Sequence, residues 1–85
     1  MPRYFFDTHN GVHTVDDVGQ DLPDLTAAKV EAIQIAGRIA TRPAMLRDDG
    51  GVLVVIVRTA PDVAAMTLRL AYNVEMPSDQ MLEVA

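Results

Sequence analysis

RYFFDTHNGVHTVDDVGQDLPDL, residues 3–25, is the stretch whose reading decides the fold. Its first six residues are rich in aromatics and predict a strand over 3–8. Asn10-Gly11 follows, and both residue types tolerate the positive φ of a type I′ turn, so the dipeptide predicts a two-residue hairpin loop. That loop pairs His9 with Val12 and Thr8 with His13. Because side chains alternate along a strand, Tyr4, Phe6, Thr8, His13 and Val15 share one face. Phe5, Asp7, His9, Val12, Thr14 and Asp16 share the other. The first set is the more apolar and is the expected core face, which leaves Phe5 and Val12 on the outer one.

Beyond the hairpin, Asp16 to Asp24 is rich in turn residues and contains Gly19. Asp24 is a good helix N-cap, and Pro23 suits the extended residue before it. A helix is predicted from Leu25 to about Thr41, with Leu25, Ala28, Ala32, Ile35 and Ile39 at helical spacing and Ile33 and Ala36 widening the stripe. Pro43 limits it, because the residue before a proline is biased away from helix. Arg47-Asp48-Asp49-Gly50-Gly51 reads as a loop. Val52 to Arg58 is a strand apolar on both faces, Thr59-Ala60-Pro61-Asp62 reverses the chain, and Val63 to about Val74 returns it. In this last strand Met66, Leu68, Leu70, Tyr72 and Val74 alternate with Thr67, Arg69, Ala71 and Asn73, the pattern of a half-buried strand. Residues 75–85 have no firm period and read as a flexible tail or a short helix.

The order strand, strand, helix, strand, strand predicts one α+β domain over residues 1–74. Its simplest form is a two-layer arrangement, a four-stranded, mainly antiparallel sheet with one helix on one face. One helix leaves the other face bare. An even-length loop around Pro61 sets Val55 opposite Met66 and Leu53 opposite Leu68, all facing the helix. Val52, Val54 and Ile56 then point outward beside Thr67 and Arg69, and Phe5 joins them. Fully burying residues of this size is worth roughly 1.5–3 kcal/mol each, and a contiguous apolar patch marks an interaction surface. Phe5, Val52, Val54, Ile56 and Arg69 are therefore the expected interface, covered by a second copy or by another protein.

Composition bounds the rest. The chain has 85 residues, no cysteine, 49% hydrophobic residues and only 5% aromatic ones. It has no disulfide and no thiolate metal site, and a domain this small often gains stability by associating. Its formal charge of −5 repels phosphate at long range and argues against nucleic acid. Arg38, Arg42 and Arg47 near one helix end read as cations favoured by the helix dipole in preference to a phosphate-binding patch. The run Val52 to Val57 is too short to span a bilayer. With no secretory signal in the first residues, the expected compartment is the cytoplasm.

Candidate chemistry is thin. Across a two-residue loop His9 and His13 point to opposite faces and share no metal ion. Asp7, His9 and Asp16 fall on one face and are the only candidates for a ligand- or metal-dependent enzyme, with His9 and a carboxylate as an acid–base pair. An open sheet face gives such a pair no pocket. Asp16, Asp17, Asp21 and Asp24 lack the register of a calcium loop, and Gly50-Gly51 precedes a strand rather than a phosphate-binding helix. The expectation is no catalytic residue and no cofactor.

Pro2-Arg3-Tyr4-Phe5-Phe6-Asp7-Thr8, then Asn10-Gly11, Asp16-Asp17, Gly19, Asp21-Leu22-Pro23-Asp24-Leu25 and Ala27-Ala28 with Glu31-Ala32 resemble a family of short bacterial proteins. That family opens on a Pro-Arg-Tyr-Phe-Phe-like strand, carries Leu-Pro-Asp before an alanine-rich helix, and is a domain of unknown function without an assigned activity. The resemblance covers about the first forty residues. Family members usually have a glycine-containing turn between the last two strands and an apolar Leu-Pro-Phe-like strand end. Here Thr59-Ala60-Pro61-Asp62 and Thr67-Leu68-Arg69-Leu70 stand in those places. A weaker, fold-level similarity is to the partner-binding domain of HicB-type antitoxins, which implies recognition of another protein. The leading expectation is a small non-enzymatic interaction module that forms a homo-oligomer.

Overall fold

The computed structural model describes residues 1–42 and 50–75. In chain order they form β1 (Arg3–His9), β2 (His13–Thr14), β3 (Gln20–Asp21), α1 (Leu25–Ala40), β4 (Gly50–Ala60) and β5 (Val63–Asn73). The sheet runs β2-β1-β4-β5, with β3 also paired to β1, and every pairing is antiparallel. The expected α+β class holds, with five strands instead of four. The added strand arises because the return of the first hairpin is broken in two. β2 pairs with the end of β1 (Thr8 with Thr14, His9 with His13) and β3 with its start (Arg3 with Asp21, Tyr4 with Gln20).

The first loop differs from the expected one. It holds three residues, Asn10-Gly11-Val12, and His9 faces His13 rather than Val12. A type I′ turn needs positive φ at both central residues, and Gly11 alone has it here, at +97°. The change moves His13 onto the face of His9 and Thr14 onto that of Thr8. Val12 and Val15 are exposed.

The core lies on one side of the sheet. Tyr4, Phe6, Leu53, Val55 and Val57 meet Ala28, Ala32 and Ala36 of α1. Three alanines on successive turns form one helix face, and their small side chains let the helix lie close to β4. Leu22, Ile35, Ile39, Met66 and Leu68 flank this cluster. Leu25 and Ile33, expected on the buried stripe, are 43% and 50% exposed. They sit to the side of the alanine row because successive residues turn by about 100°. The helix starts as expected: Asp24 is extended and its carboxylate accepts the Ala27 N–H at 2.9 Å.

The second hairpin keeps the expected parity and shifts the expected register by two. Val57 faces Met66, Val55 faces Leu68 and Leu53 faces Leu70. Ala60 pairs with Val63 around Pro61-Asp62, a two-residue turn with proline at its favoured first position. Non-primed turns splay the strands, and the irregularities between Val57 and Ala60 restore the pairing. Arg47 and the tail beyond Glu75 lie outside the described residues.

Candidate functional site: the outer face of the sheet

Opposite the helix, β1 contributes Phe5, Asp7 and His9, β4 contributes Val52, Val54, Ile56 and Arg58, and β5 contributes Thr67, Arg69 and Ala71. The register sets Phe5 beside Arg58, Asp7 beside Ile56 with Thr67 on its far side, and His9 beside Val54 with Arg69 on its far side. No helix or strand among the described residues lies across this face. Val52 is 48% exposed, Val54 and Ile56 are half-buried, and Arg69 is exposed. Thus Val52, Val54, Ile56 and Arg69 stand together, as their spacing predicts.

Phe5 occupies a different setting. The Arg58 guanidinium lies over its ring, 5.2 Å from the centroid. Gly19 presses on it from the loop between β2 and β3: a Cβ there would come within 2.9 Å of both Phe5 Cε1 and Arg3 Cγ. With φ of +76°, Gly19 serves both a left-handed backbone and a close approach. Phe5 is half-buried and belongs to the support of the loop more than to the open patch.

That loop is built by Asp16. One carboxylate oxygen accepts the Phe6 N–H at 3.0 Å, and the other accepts those of Val18 and Gly19 at 3.0 and 3.1 Å. Phe6 sits where β1 has lost its strand partner, so a side chain takes the place of a ladder bond. The Asp16 N–H in turn donates to Asp7 at 2.9 Å. Asp7, 5% exposed, grips Arg58 with both oxygens, Nε at 2.6 Å and Nη2 at 3.0 Å, a bidentate charge-assisted pair. Arg58 Nη2 also donates to the Asp16 carbonyl at 2.8 Å.

Electrostatics follow from these contacts. The Arg58 hydrogen bonds hold Asp7 below the ordinary carboxylate value, outweighing the upward push of burial. Burial pushes Asp16 up, and the N–H groups of Phe6, Gly19 and Val18 together overcome it, so this carboxyl is also lowered. Asp7 raises the Arg58 guanidinium further. All three groups stay charged at neutral pH.

Asp7 and Asp16, two of the candidates for acid–base work, are therefore brought together, but around an arginine that sequence reasoning did not connect to them. Their lone pairs are taken up by Arg58 and by backbone donors, an arrangement that stabilises fixed charge rather than moving a proton. The signal for it was present: a charge at the end of an apolar strand requires a counter-charge when buried. The 51-position separation of Asp7 and Arg58 hid which one.

His9 lies toward the other end of β1. The expectation that His9 and His13 point apart is corrected by the three-residue loop: their rings share a face with centroids 5.8 Å apart. Two exposed imidazoles are fewer donors than a tetrahedral site needs, and no group of three or more metal-ligating side chains occurs among the described residues. Beside them a shallow cleft of about 410 Å³ opens among His9, Asn10, Gly50, Gly51, Val54 and Tyr72. No helix of the described residues is long and apolar enough to cross a membrane.

None of the curated proteins and none of the solved structures matches the chain. Nothing in these comparisons bears on the similarity to HicB-type antitoxins. A family model, described as a domain of unknown function, matches residues 3–71. It thus runs from the start of β1 nearly to the end of β5, including the second hairpin, where turn and strand end depart from the expected pattern. On that match the chain belongs to the family of the domain of unknown function DUF6894.

Proposed function

We propose that this protein is a small non-enzymatic interaction module that self-associates through the sheet face opposite α1. The observation that supports this reading is the row Val52, Val54 and Ile56, aliphatic residues in the middle of the sheet with no element of the described chain across them. Arg69 beside Val54 gives the patch a charged rim, the common anatomy of an interface. We read the module as a bacterial one on the resemblance of its first forty residues, and take the cytoplasm as its compartment.

The test is Val54→Glu. A carboxylate in the centre of an apolar contact is costly when desolvated, while on an open face it is compatible with the fold. The expected outcome is a smaller assembly with unchanged circular dichroism. An unchanged mass and stability would count against the face as an interface between copies.

The competing reading is a metal- or ligand-dependent enzyme using Asp7, His9 and Asp16, and it predicts something different. A divalent ion would raise the melting temperature, and His9→Ala would abolish the rise. An antitoxin-like module would instead bind a foreign protein through the same patch, and Val54→Glu would then leave the mass of the isolated protein unchanged.

A further inference from the structure

The two margins of the sheet are unlike. At the β1 margin the pairing strands are two residues long each, and the Asp16 loop interrupts them. Short, broken edges are a device against pairing with other chains. The β5 margin has no such device. Its strand runs eleven residues, Val63–Asn73, without proline and with Arg69 as its only charge. Among the described residues no strand pairs with its outer side.

Which backbone groups point outward follows from the far side of the sheet. The Phe6 N–H is directed at Asp16, away from β4, and the Pro2 carbonyl accepts from Leu22 on that same side. Phe6 and its partner Val57 are therefore a non-hydrogen-bonded pair in the antiparallel ladder. Alternation along β4 then turns the N–H and C=O groups of Val57, Val55 and Leu53 toward Met66, Leu68 and Leu70. The groups of Thr67, Arg69 and Ala71 are left facing the open margin.

We propose that this margin pairs with β5 of a second copy, antiparallel about a two-fold axis at Leu68. The occupant is a second copy because the strand is complementary to itself in this register. Leu68 meets the partner's Leu68, and Leu70 meets the partner's Met66. Arg69 meets the partner's Thr67, so the like charges are never directly opposite. Centring on Leu68 also keeps the pairing within the regular part of the strand, Met66 to Leu70, clear of the irregularity next to Met66. Leu70 lies on the helix side yet is 40% exposed, and Met66 and Leu68 are half-buried. A strand added at this margin would cover all three. This pairing goes beyond the proposed stacking of sheet faces and does not depend on it: one contact is made by backbone at the margin, the other by side chains on the face.

The experiment combines absolute mass with hydrogen exchange of the full chain. Thr67→Pro removes one outward N–H and leaves the bonds to β4, which is where proline is tolerated in a sheet. Ala71→Pro does the same nearer the strand end and serves as a second variant should Thr67→Pro fail to fold. The wild-type protein is expected to contain at least two chains, with slow exchange at the Thr67, Arg69 and Ala71 amides. Both proline variants are expected to halve the mass and lose that protection at those of the three amides that remain. Val54→Glu, which disrupts only face stacking, is expected to leave these three amides protected. Fast exchange at all three in an assembled protein, an unchanged mass in a folded proline variant, or protection in a single chain would each overturn the edge pairing.

Discussion

Asp7 is the buried charged residue among those described, and it shows how a side chain with catalytic potential can be committed to structure. Its two oxygens receive Arg58 and the Asp16 N–H. Both Asp7 and Asp16 are held below the ordinary carboxylate value, so the stability they contribute is complete above the unfolded value of about 3.9 and is lost as pH falls through the lower folded values. The melting temperature should therefore drop on acidification below about pH 4. Asp7→Asn should melt lower at pH 7 and show a shallower acid decline; equal melting curves at pH 7 would contradict the role given to the pair. At Gly19, substitution by alanine should cost about 1–3 kcal/mol, read by urea unfolding, since its φ and the Phe5 ring both exclude a Cβ. That Asp7 would face outward could be read from alternation. That Arg58 would meet it could not, because strand order joins residues that no local period links.

Among the elements, the helix was the most legible. A cap, an apolar period and a proline beyond its end placed α1 to within a residue of its observed span. Asp24→Ala should destabilise by about 1 kcal/mol in chemical unfolding, the usual worth of such a cap. Ala32→Leu should cost about 1–3 kcal/mol, because overpacking forces the helix off β4; a stabilised variant would mean that the alanine row is not closely packed. The first hairpin was legible in kind and not in length. Asn-Gly permits a two-residue loop but does not impose one, and here the Asp16 carboxylate fixes the return by capturing the Phe6 N–H. β3 escaped notice because a two-residue strand has no period to detect. In the second hairpin alternation alone gave the right faces, whereas register depended on where Pro61 placed the turn.

At the scale of the molecule, the decisive fact is an imbalance that the order of elements already implied: one helix for a sheet with two faces. The helix covers Tyr4, Phe6, Leu53, Val55 and Val57, while Val52, Val54 and Ile56 are left on the other side. The candidate surface was thus visible in the sequence, apart from Phe5, which the Gly19 loop and Arg58 partly enclose. Whether that surface is an interface between copies is tested most directly by the absolute mass of the wild-type protein, measured by light scattering across a wide range of concentration. A mass above the 9.3 kDa of one chain, maintained on dilution into the micromolar range that such interfaces reach at the weak end, is the predicted result. A mass of one chain at every concentration would contradict it.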